Sequence, residues 1–368
     1  MKNISKKKLL NVQALLVISL LMFFVTSVSA ETLRILEWGA YVPKAYQEKI
    51  IKIAKEKYNI ELELELKTVD SNDEFFPAVF GKKADIITPS HNVVRDERWR
   101  LIKHKLVLPL NLENIPNYKN VDPGLQNADY CSEGGEVYAI PVARGPYGLA
   151  YNTAMFKEAP TSWNVLWDPK FKGKYTFGKH QYEENIFSVA LAMGFAKEDI
   201  SNYKKLNTPE LQKKLSQLIE NAHSMWEGVD KPEDLKGLAL ALVWGDSLPG
   251  LKKLGEEWKM AEPKEGTTAW VDNFMISQAL KDKPKLKQLA EELFNMILSD
   301  ENQLNIAKEG TIPVVSTIKD KLTPEELKRT HLDDPTHFKN NRVLWPTLNK
   351  LDRKGIKRLW DKAMMSKK

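Results

Sequence analysis

Strand-like and helix-like segments alternate over the first third of the chain, and this alternation constrains the fold more than any other feature. Strands are predicted at 33–38, 60–69 and 84–88, and helices at 43–58, 73–80 and 93–104. Pro43 suits the first turn of a helix, and the apolar–Glu alternation of 60–69 is typical of a strand with one exposed face. This order predicts an α/β fold in which parallel strands are covered by helices and ligands bind beyond the carboxyl ends of the strands.

Two later segments are extended but lack this alternation. Residues 137–152 are interrupted by Pro and Gly, and 270–278 follow a short polar stretch. We expect both to cross between two α/β lobes. The predicted division is 31–147 with 271–316 for the first lobe, and 148–270 with 317–368 for the second.

The N-terminal segment has the pattern of a cleavable signal peptide. Four lysines precede an apolar stretch from Leu9 to Val25, and the small residues of Val28-Ser29-Ala30 follow. This order predicts cleavage after Ala30 and export to the periplasm. The alternative is an uncleaved membrane anchor, for which the apolar stretch is slightly short.

Composition narrows the class of partner. Removal of the four lysines of the signal segment lowers the formal net charge from +6 to +2, so the basic pI is no argument for nucleic acid. Cys131 is the one cysteine of the chain and no disulfide can form within it. We expect Cys131 to be a small buried residue rather than a nucleophile, because no catalytic motif surrounds it.

Sequence motifs for catalysis or cofactor binding are missing. The chain has no phosphate-binding glycine loop after a strand, no Gly-x-Ser-x-Gly motif and no His/Cys/Asp cluster with metal-ligand spacing. Glu183-Glu184 is the type of carboxylate pair that general acid–base chemistry needs, but a solvated helix start is the simpler explanation and the one that we favour. We therefore predict neither an enzyme nor a bound cofactor or metal.

Aromatic residues next to carboxylates stand at the ends of predicted strands. Trp270 and Asp272 point to the same face of an extended segment, which would set a π-face beside a negative charge, and this combination suits an ammonium group. The simpler alternative is that Trp270 belongs to the core and Asp272 caps the next helix. Further candidates of the same kind are Trp38 and Tyr41 after the first strand, and Trp244 before Gly245-Asp246.

A set of motifs resembles the polyamine-binding proteins of bacterial ABC importers. The matching segments, in order, are Leu33 to Pro43, Ala84 to Ser90, Val137 to Pro141, Gly148 to Asn152, Ser162 to Pro169 and Glu265 to Asp272. The resemblance covers nearly the whole chain after the signal segment. It implies the type II periplasmic-binding-protein fold, with two α/β lobes that are joined by crossing strands and close on a ligand by hinge motion.

The resemblance also implies roles for individual residues. In that family aromatic rings sandwich the methylene chain of the ligand, and carboxylates hold its amino groups. The aromatic positions match Trp38, Tyr41, Trp244 and Trp270, and the carboxylate that holds an amine matches Asp272. The implied partners are a small amine ligand and the membrane permease of an ABC transporter, and the protein is expected to be a monomer that contacts only the membrane complex.

Several positions depart from the family pattern. His91-Asn92 replaces a Tyr after the Pro-Ser turn, and we count both residues among the candidate ligand-binding residues. Arg144 lies where an aromatic residue is usual. If Arg144 faces the cleft it would hold an anionic group through its fork of donors. We therefore keep open a zwitterionic, amino acid-like ligand with its ammonium on Asp272 and its anion on Arg144. The other interpretation is that Arg144 pairs with Asp246 or Glu37 at the rim.

An enzyme on the same architecture is the alternative of a different class. Thiaminase I is similar in architecture and uses a cysteine nucleophile, which makes Cys131 the residue to test. The surrounding segment Asp129 to Gly135 has the composition of a loop and offers no identified base.

Overall fold

The computed structural model describes residues 29–39, 41–69, 71–245, 247–334 and 336–366. The predicted signal segment therefore lies almost wholly outside the described residues. The strands are β1 Ser29–Glu37, β2 Ile60–Thr68, β3 Ile86–Ile87, β4 Val107–Leu108, β5 Ser132–Glu133, β6 Glu136–Val137, β7 Ile140–Asn152, β8 Tyr175–Gly178, β9 Ser224–Trp226, β10 Leu240–Val243, β11 Trp258–Met260, β12 Thr267–Ser277, β13 Ile312–Pro313 and β14 Arg342–Leu344. The α-helices are α1 Lys44–Tyr58, α2 Phe75–Phe80, α3 His91–Val94, α4 Tyr182–Ala192, α5 Tyr203–Leu206, α6 Pro209–Glu220, α7 Pro232–Leu235, α8 Leu248–Lys253, α9 Pro284–Ile297, α10 Asp300–Lys308, α11 Pro324–Thr330, α12 His337–Asn341 and α13 Lys350–Met364.

The first lobe is built on the predicted parallel strands. β1 pairs in parallel with β2 on one side and with β3 on the other. Helix α1 packs on β2 and on α9, and it ends where Asn59 adopts a left-handed φ of 55° and its N–H bonds to the carbonyl of Ala54. The alternation read from the sequence is confirmed here.

Two long antiparallel strands join the lobes. β7 and β12 pair from Thr268↔Tyr147 to Phe274↔Ile140, with an irregularity after Asp272. The far end of β12 continues into the first lobe by pairing with β3, and the far end of β7 continues into the second lobe by pairing with β10. The sheet thus runs through both lobes in the order β2-β1-β3-β12-β7-β10-β8-β9. Both strands are buried along almost their whole length, so few waters can compete for their backbone groups.

The second lobe surrounds β10, β8 and β9, which pair in parallel. Helices α4, α6 and α13 pack together on this lobe. Their apolar faces bury large side chains such as Phe177, Phe187 and Trp360. Among the described helices, none combines the length and the hydrophobicity that a membrane span requires.

The predicted helix over 93–104 is wrong in extent. Only His91–Val94 is helical, and turns follow. The carboxylate of Asp96 accepts bonds from the backbone N–H and the guanidinium of Arg98, which fixes a turn in place of the helical ladder. Arg100 and Lys105 adopt left-handed φ values of 42° and 55°, which a continuous helix does not allow.

Candidate ligand-binding cleft

Asp272 lies at the centre of the crossing strand β12 and is 5 % exposed. Its Oδ2 accepts a hydrogen bond of 2.6 Å from the Tyr41 hydroxyl, and its Oδ1 accepts one of 2.7 Å from the Ser90 hydroxyl. Within the described part of the chain, no Lys or Arg forms an ion pair with this carboxylate. Burial raises the pKa of Asp272 to about 7, and the two hydroxyl donors only partly oppose this effect. The site therefore favours an external cation that would restore the ionised carboxylate.

Trp270 shares a face of β12 with Asp272, as the spacing predicted. Trp270 lies opposite Gly145 on β7 and Asp272 lies opposite Ala143. The indole packs directly on the glycine, since a Cβ built on Gly145 would come within 2.8 Å of its Cζ2 atom. Gly145 thus leaves the space that the indole ring occupies on this face of the strand pair.

Trp244 contributes an aromatic ring from the second lobe. It follows β10, and its backbone N–H is held by Asp230 at 2.9 Å. The ring centroid lies 4.7 Å from that of Tyr147 and 5.4 Å from that of Trp345. Tyr147 and Trp345 were missed at the sequence level, because neither stands beside a carboxylate in sequence. Three chain segments therefore build one aromatic cluster, which consists of Tyr147, Trp244 and Trp345.

Trp38 and Tyr41 occupy the loop after β1. The backbone N–H of Trp38 bonds to the Thr88 hydroxyl at 3.2 Å, and its indole packs edge-on against Phe75 with centroids 5.6 Å apart. The Tyr41 hydroxyl reaches Asp272, so the loop after the first strand contributes directly to the carboxylate site. Trp38 anchors that loop to the first lobe.

His91 was predicted to bind the ligand, but both of its ring nitrogens are engaged within the protein. Its Nδ1 accepts a bond of 3.2 Å from the N–H of Val271, so Nε2 carries the proton and donates to the carbonyl of Trp345 at 3.0 Å. Burial lowers the pKa of His91 to about 4 and keeps the ring neutral. His91 instead links the Ser90 turn, β12 and the Trp345 segment. Asn92 is half-buried, and its Oδ1 is buried without a partner in the described structure.

Arg144 is turned away from Asp272. It lies opposite Val271, whose side chain alternates with those of Trp270 and Asp272, so Arg144 belongs to the other face of the strand pair. Its Nη1 donates to Oδ2 of Asp122 at 2.9 Å. Of the two predicted alternatives for its partner, Asp246 and Glu37, Glu37 is not the residue that it pairs with in the described structure. Asp246 itself lies outside the described residues.

Glu184, at the N-terminus of α4, brings a second carboxylate to the aromatic cluster. The neighbouring Asn185 accepts a bond of 2.9 Å from the Tyr147 hydroxyl and donates one of 2.8 Å to the carbonyl of Gly178. Burial raises the pKa of the Tyr147 hydroxyl, and Glu184 lies close enough to raise it further by a smaller amount. Desolvation by the surrounding protein raises the pKa of Glu184, and repulsion from Glu183 adds to it. The sequence identified the two adjacent carboxylates without showing which of them lies near Tyr147.

Cys131 is fully buried and its thiol donates to the carbonyl of Ala128 at 3.2 Å. Burial raises the pKa of this thiol to about 11, which is the opposite of what a nucleophile requires.

Comparisons with known proteins identify the family of the chain. The family described as bacterial extracellular solute-binding protein matches residues 81–344. The spermidine/putrescine-binding periplasmic protein 1 of Haemophilus influenzae is 24 % identical over 327 residues, which cover 87 % of this chain and 84 % of the relative. The corresponding protein of Escherichia coli is 24 % identical over 318 residues, with 84 % and 85 % covered.

A solved structure shares the fold. The substrate-binding protein of a spermidine/putrescine ABC transporter from Streptococcus pneumoniae aligns with a TM-score of 0.72 at 19 % identity, over 92 % of this chain and 100 % of that one. The two-lobe type II architecture is therefore shared along the chain. This chain belongs to the bacterial extracellular solute-binding proteins, which are binding proteins rather than enzymes.

Proposed function

We propose that the protein captures a polyamine or a related small amine in the periplasm and delivers it to the permease of an ABC transporter. The observation that carries this proposal is the buried Asp272, which two hydroxyls orient and no cationic side chain of the described structure neutralises. A ligand ammonium would supply the missing positive charge. Export by the signal segment 1–30 and a monomeric state complete the proposal.

The aromatic cluster and Glu184 extend the site beyond a single ammonium. Methylene groups pack well on the faces of Tyr147, Trp244 and Trp345, and a cation is attracted to such faces. Glu184 offers a second carboxylate on the opposite lobe. A diamine or triamine that spans Asp272 and Glu184 would therefore draw the two lobes together. We place the lobe boundaries where the sequence predicted them, at 31–147 with 271–316 and 148–270 with 317–368.

Calorimetric titration with putrescine, spermidine and an ω-amino acid tests the proposal. We expect putrescine or spermidine to bind more tightly than the amino acid, because Arg144 is already paired with Asp122. Asp272→Asn should remove the binding, while the matched control Asp361→Asn, on the exposed face of α13, should preserve it. Preferential binding of the ω-amino acid, or full binding by the Asp272→Asn variant, would overturn the proposal.

A further inference from the structure

A second cluster of chemically reactive side chains lies away from the cleft, beside the start of the crossing strand β12. Glu262 precedes that strand, His331 ends helix α11, and His337 begins helix α12. One ligating atom from each of the three lies within 4.8 Å of the others. Sequence spacing did not reveal the cluster, because Glu262 is distant in sequence from the two histidines.

We propose that Glu262, His331 and His337 bind a divalent transition-metal ion of the Zn²⁺ type. Two imidazoles and one carboxylate suit Zn²⁺, whereas Ca²⁺ and Mg²⁺ prefer sites made of oxygen ligands. No other group of three such residues close enough to share an ion occurs in the described structure.

The two histidine rings are already close together. Their centroids lie 3.6 Å apart with an interplanar angle of 10°, and Nε2 of His331 lies 3.5 Å from Oε1 of Glu262. Ligands of a tetrahedral zinc ion lie roughly 3.3 to 4 Å from one another, given metal–ligand bonds of about 2.0 to 2.1 Å. Because the stacked rings direct their nitrogen lone pairs side by side, both imidazoles must turn about their Cβ–Cγ bonds before the three atoms converge on one ion.

Nε2 of His337 is buried and has no hydrogen-bond partner in the described part of the chain. The other ring nitrogen, Nδ1, lies 3.2 Å from the side-chain amide of Asn341. The neighbouring atom is the amide nitrogen Nδ2, which donates to Nδ1; with a metal on Nε2, Nδ1 would carry the proton, and the amide would turn over so that its oxygen accepts it. This is the usual way in which a second residue fixes the tautomer of a metal-binding histidine.

Arg342 already binds the Glu262 carboxylate but leaves it able to coordinate a metal ion. Its Nη1 and Nη2 donate to the two oxygens of Glu262, each at 2.7 Å. A carboxylate oxygen has a second lone pair, so Oε1 can accept from Arg342 and also coordinate a metal. Asp334 lies near enough to interact electrostatically with His337 and offsets part of the positive charge. We therefore expect micromolar rather than nanomolar affinity.

Zinc titration of the purified protein without a polyhistidine tag tests the site. We expect one equivalent of Zn²⁺ in calorimetry, and Co²⁺ substituted for it should give the d–d absorption of a complex with nitrogen ligands. His331→Ala and His337→Ala should each remove this equivalent, and Asn341→Ala should weaken it about tenfold. His180→Ala is the matched control, because that histidine is exposed on another part of the second lobe.

The outcomes separate the site from general effects on folding. Circular dichroism and thermal unfolding without metal establish that each variant is folded. Added Zn²⁺ should raise the melting temperature of the unmodified protein and of His180→Ala, but not that of His331→Ala or His337→Ala. The proposal would be overturned if the unmodified protein bound no stoichiometric Zn²⁺. It would also be overturned if folded His331→Ala and His337→Ala variants bound Zn²⁺ as well as the unmodified protein does. Titrations with putrescine decide the function of the cleft independently, since no ligand of the proposed metal site belongs to it.

Discussion

Arg353 of helix α13 donates a hydrogen bond of 2.9 Å from Nη2 to Oδ2 of Asp96. Asp96 belongs to the first lobe, in the turns after α3, whereas α13 packs on α4 and α6 of the second lobe. The side chain of Asp96 is 7 % exposed and that of Arg353 is 15 % exposed, so the pair is well shielded from solvent. This ion pair joins the two lobes, and Glu183 lies near enough to feel both charges. With the proposed function, this ion pair would stabilise the closed arrangement of the lobes around a ligand.

Replacement of Arg353 should weaken ligand binding, although Arg353 lies outside the proposed contacts with the ligand. Asp96 keeps its bonds to Arg98, so we expect Arg353→Ala to cost about 1 kcal/mol of closure free energy and to raise the Kd roughly fivefold. The matched control is Lys357→Ala, which removes an exposed pair with Asp361 within α13. Calorimetry measures the affinity, and small-angle scattering should show a more open unliganded Arg353→Ala variant. An equal effect in both variants would argue against a role of the pair in closure.

Ligand binding should release protons and strengthen as pH rises. Burial raises the pKa of Asp272 to about 7, and an ammonium group binds the ionised form. The affinity should therefore fall as pH decreases below about 7, approaching tenfold per pH unit. The raised pKa of Glu184 acts in the same direction. Calorimetry in buffers of different ionisation enthalpy measures the released protons. Binding that is independent of buffer and pH would contradict the assignment of Asp272.

The same carboxylate should limit the stability of the unliganded protein. Its folded pKa lies above the ordinary value of 3.8, so the folded state holds the proton more tightly. The free energy of unfolding then decreases as pH rises through this window, by roughly 4 kcal/mol for a shift of about three pKa units. Asp272→Asn should raise the melting temperature near pH 8 and have little effect near pH 4, because its amide can still meet Tyr41 and Ser90. Asp361→Asn, on the surface, should change neither value.

Cys131 should behave as a buried structural residue. With a pKa of about 11, only about one thiol in a thousand is ionised at pH 8. A chromogenic disulfide reagent should react negligibly with the native protein and stoichiometrically after unfolding in guanidinium chloride. Turnover of thiamine that disappears in Cys131→Ser would contradict the assignment to the solute-binding proteins.

Local patterns predicted the scaffold and half of the cleft. The alternation over 33–88 gave parallel strands, and the two-residue spacing of Trp270 and Asp272 placed them on one face. Both results depend on neighbours in sequence. The helix predicted at 93–104 does not form over its full length, because the side chain of Asp96 binds a backbone N–H that a helix would use. The spacing of apolar residues contains no information about this competition.

The other half of the cleft depends on contacts between distant segments. The side of the strand on which Arg144 lies follows from the register of β7 against β12, and the sequence of β7 alone leaves that register open. His91 has no free nitrogen because Val271 and Trp345 approach it from other parts of the chain. Tyr147 and Trp345 enter the aromatic cluster for the same reason.

Gly145 should be required for the position of the Trp270 ring. A methyl group at Gly145 would lie 2.8 Å from Cζ2 of the indole, which β12 and the surrounding core prevent from moving away freely. We expect Gly145→Ala to destabilise the protein by about 1 to 3 kcal/mol and to shift tryptophan fluorescence, because overpacking forces the ring out of place. Gly148→Ala on the same strand is the matched control, since its methyl group would meet the flexible end of Met260. The ring position matters for binding if Gly145→Ala also raises the Kd for putrescine more than Gly148→Ala does. Equal losses in both variants would mean that the strand tolerates no side chain at either position, and that Trp270 has no special need for Gly145.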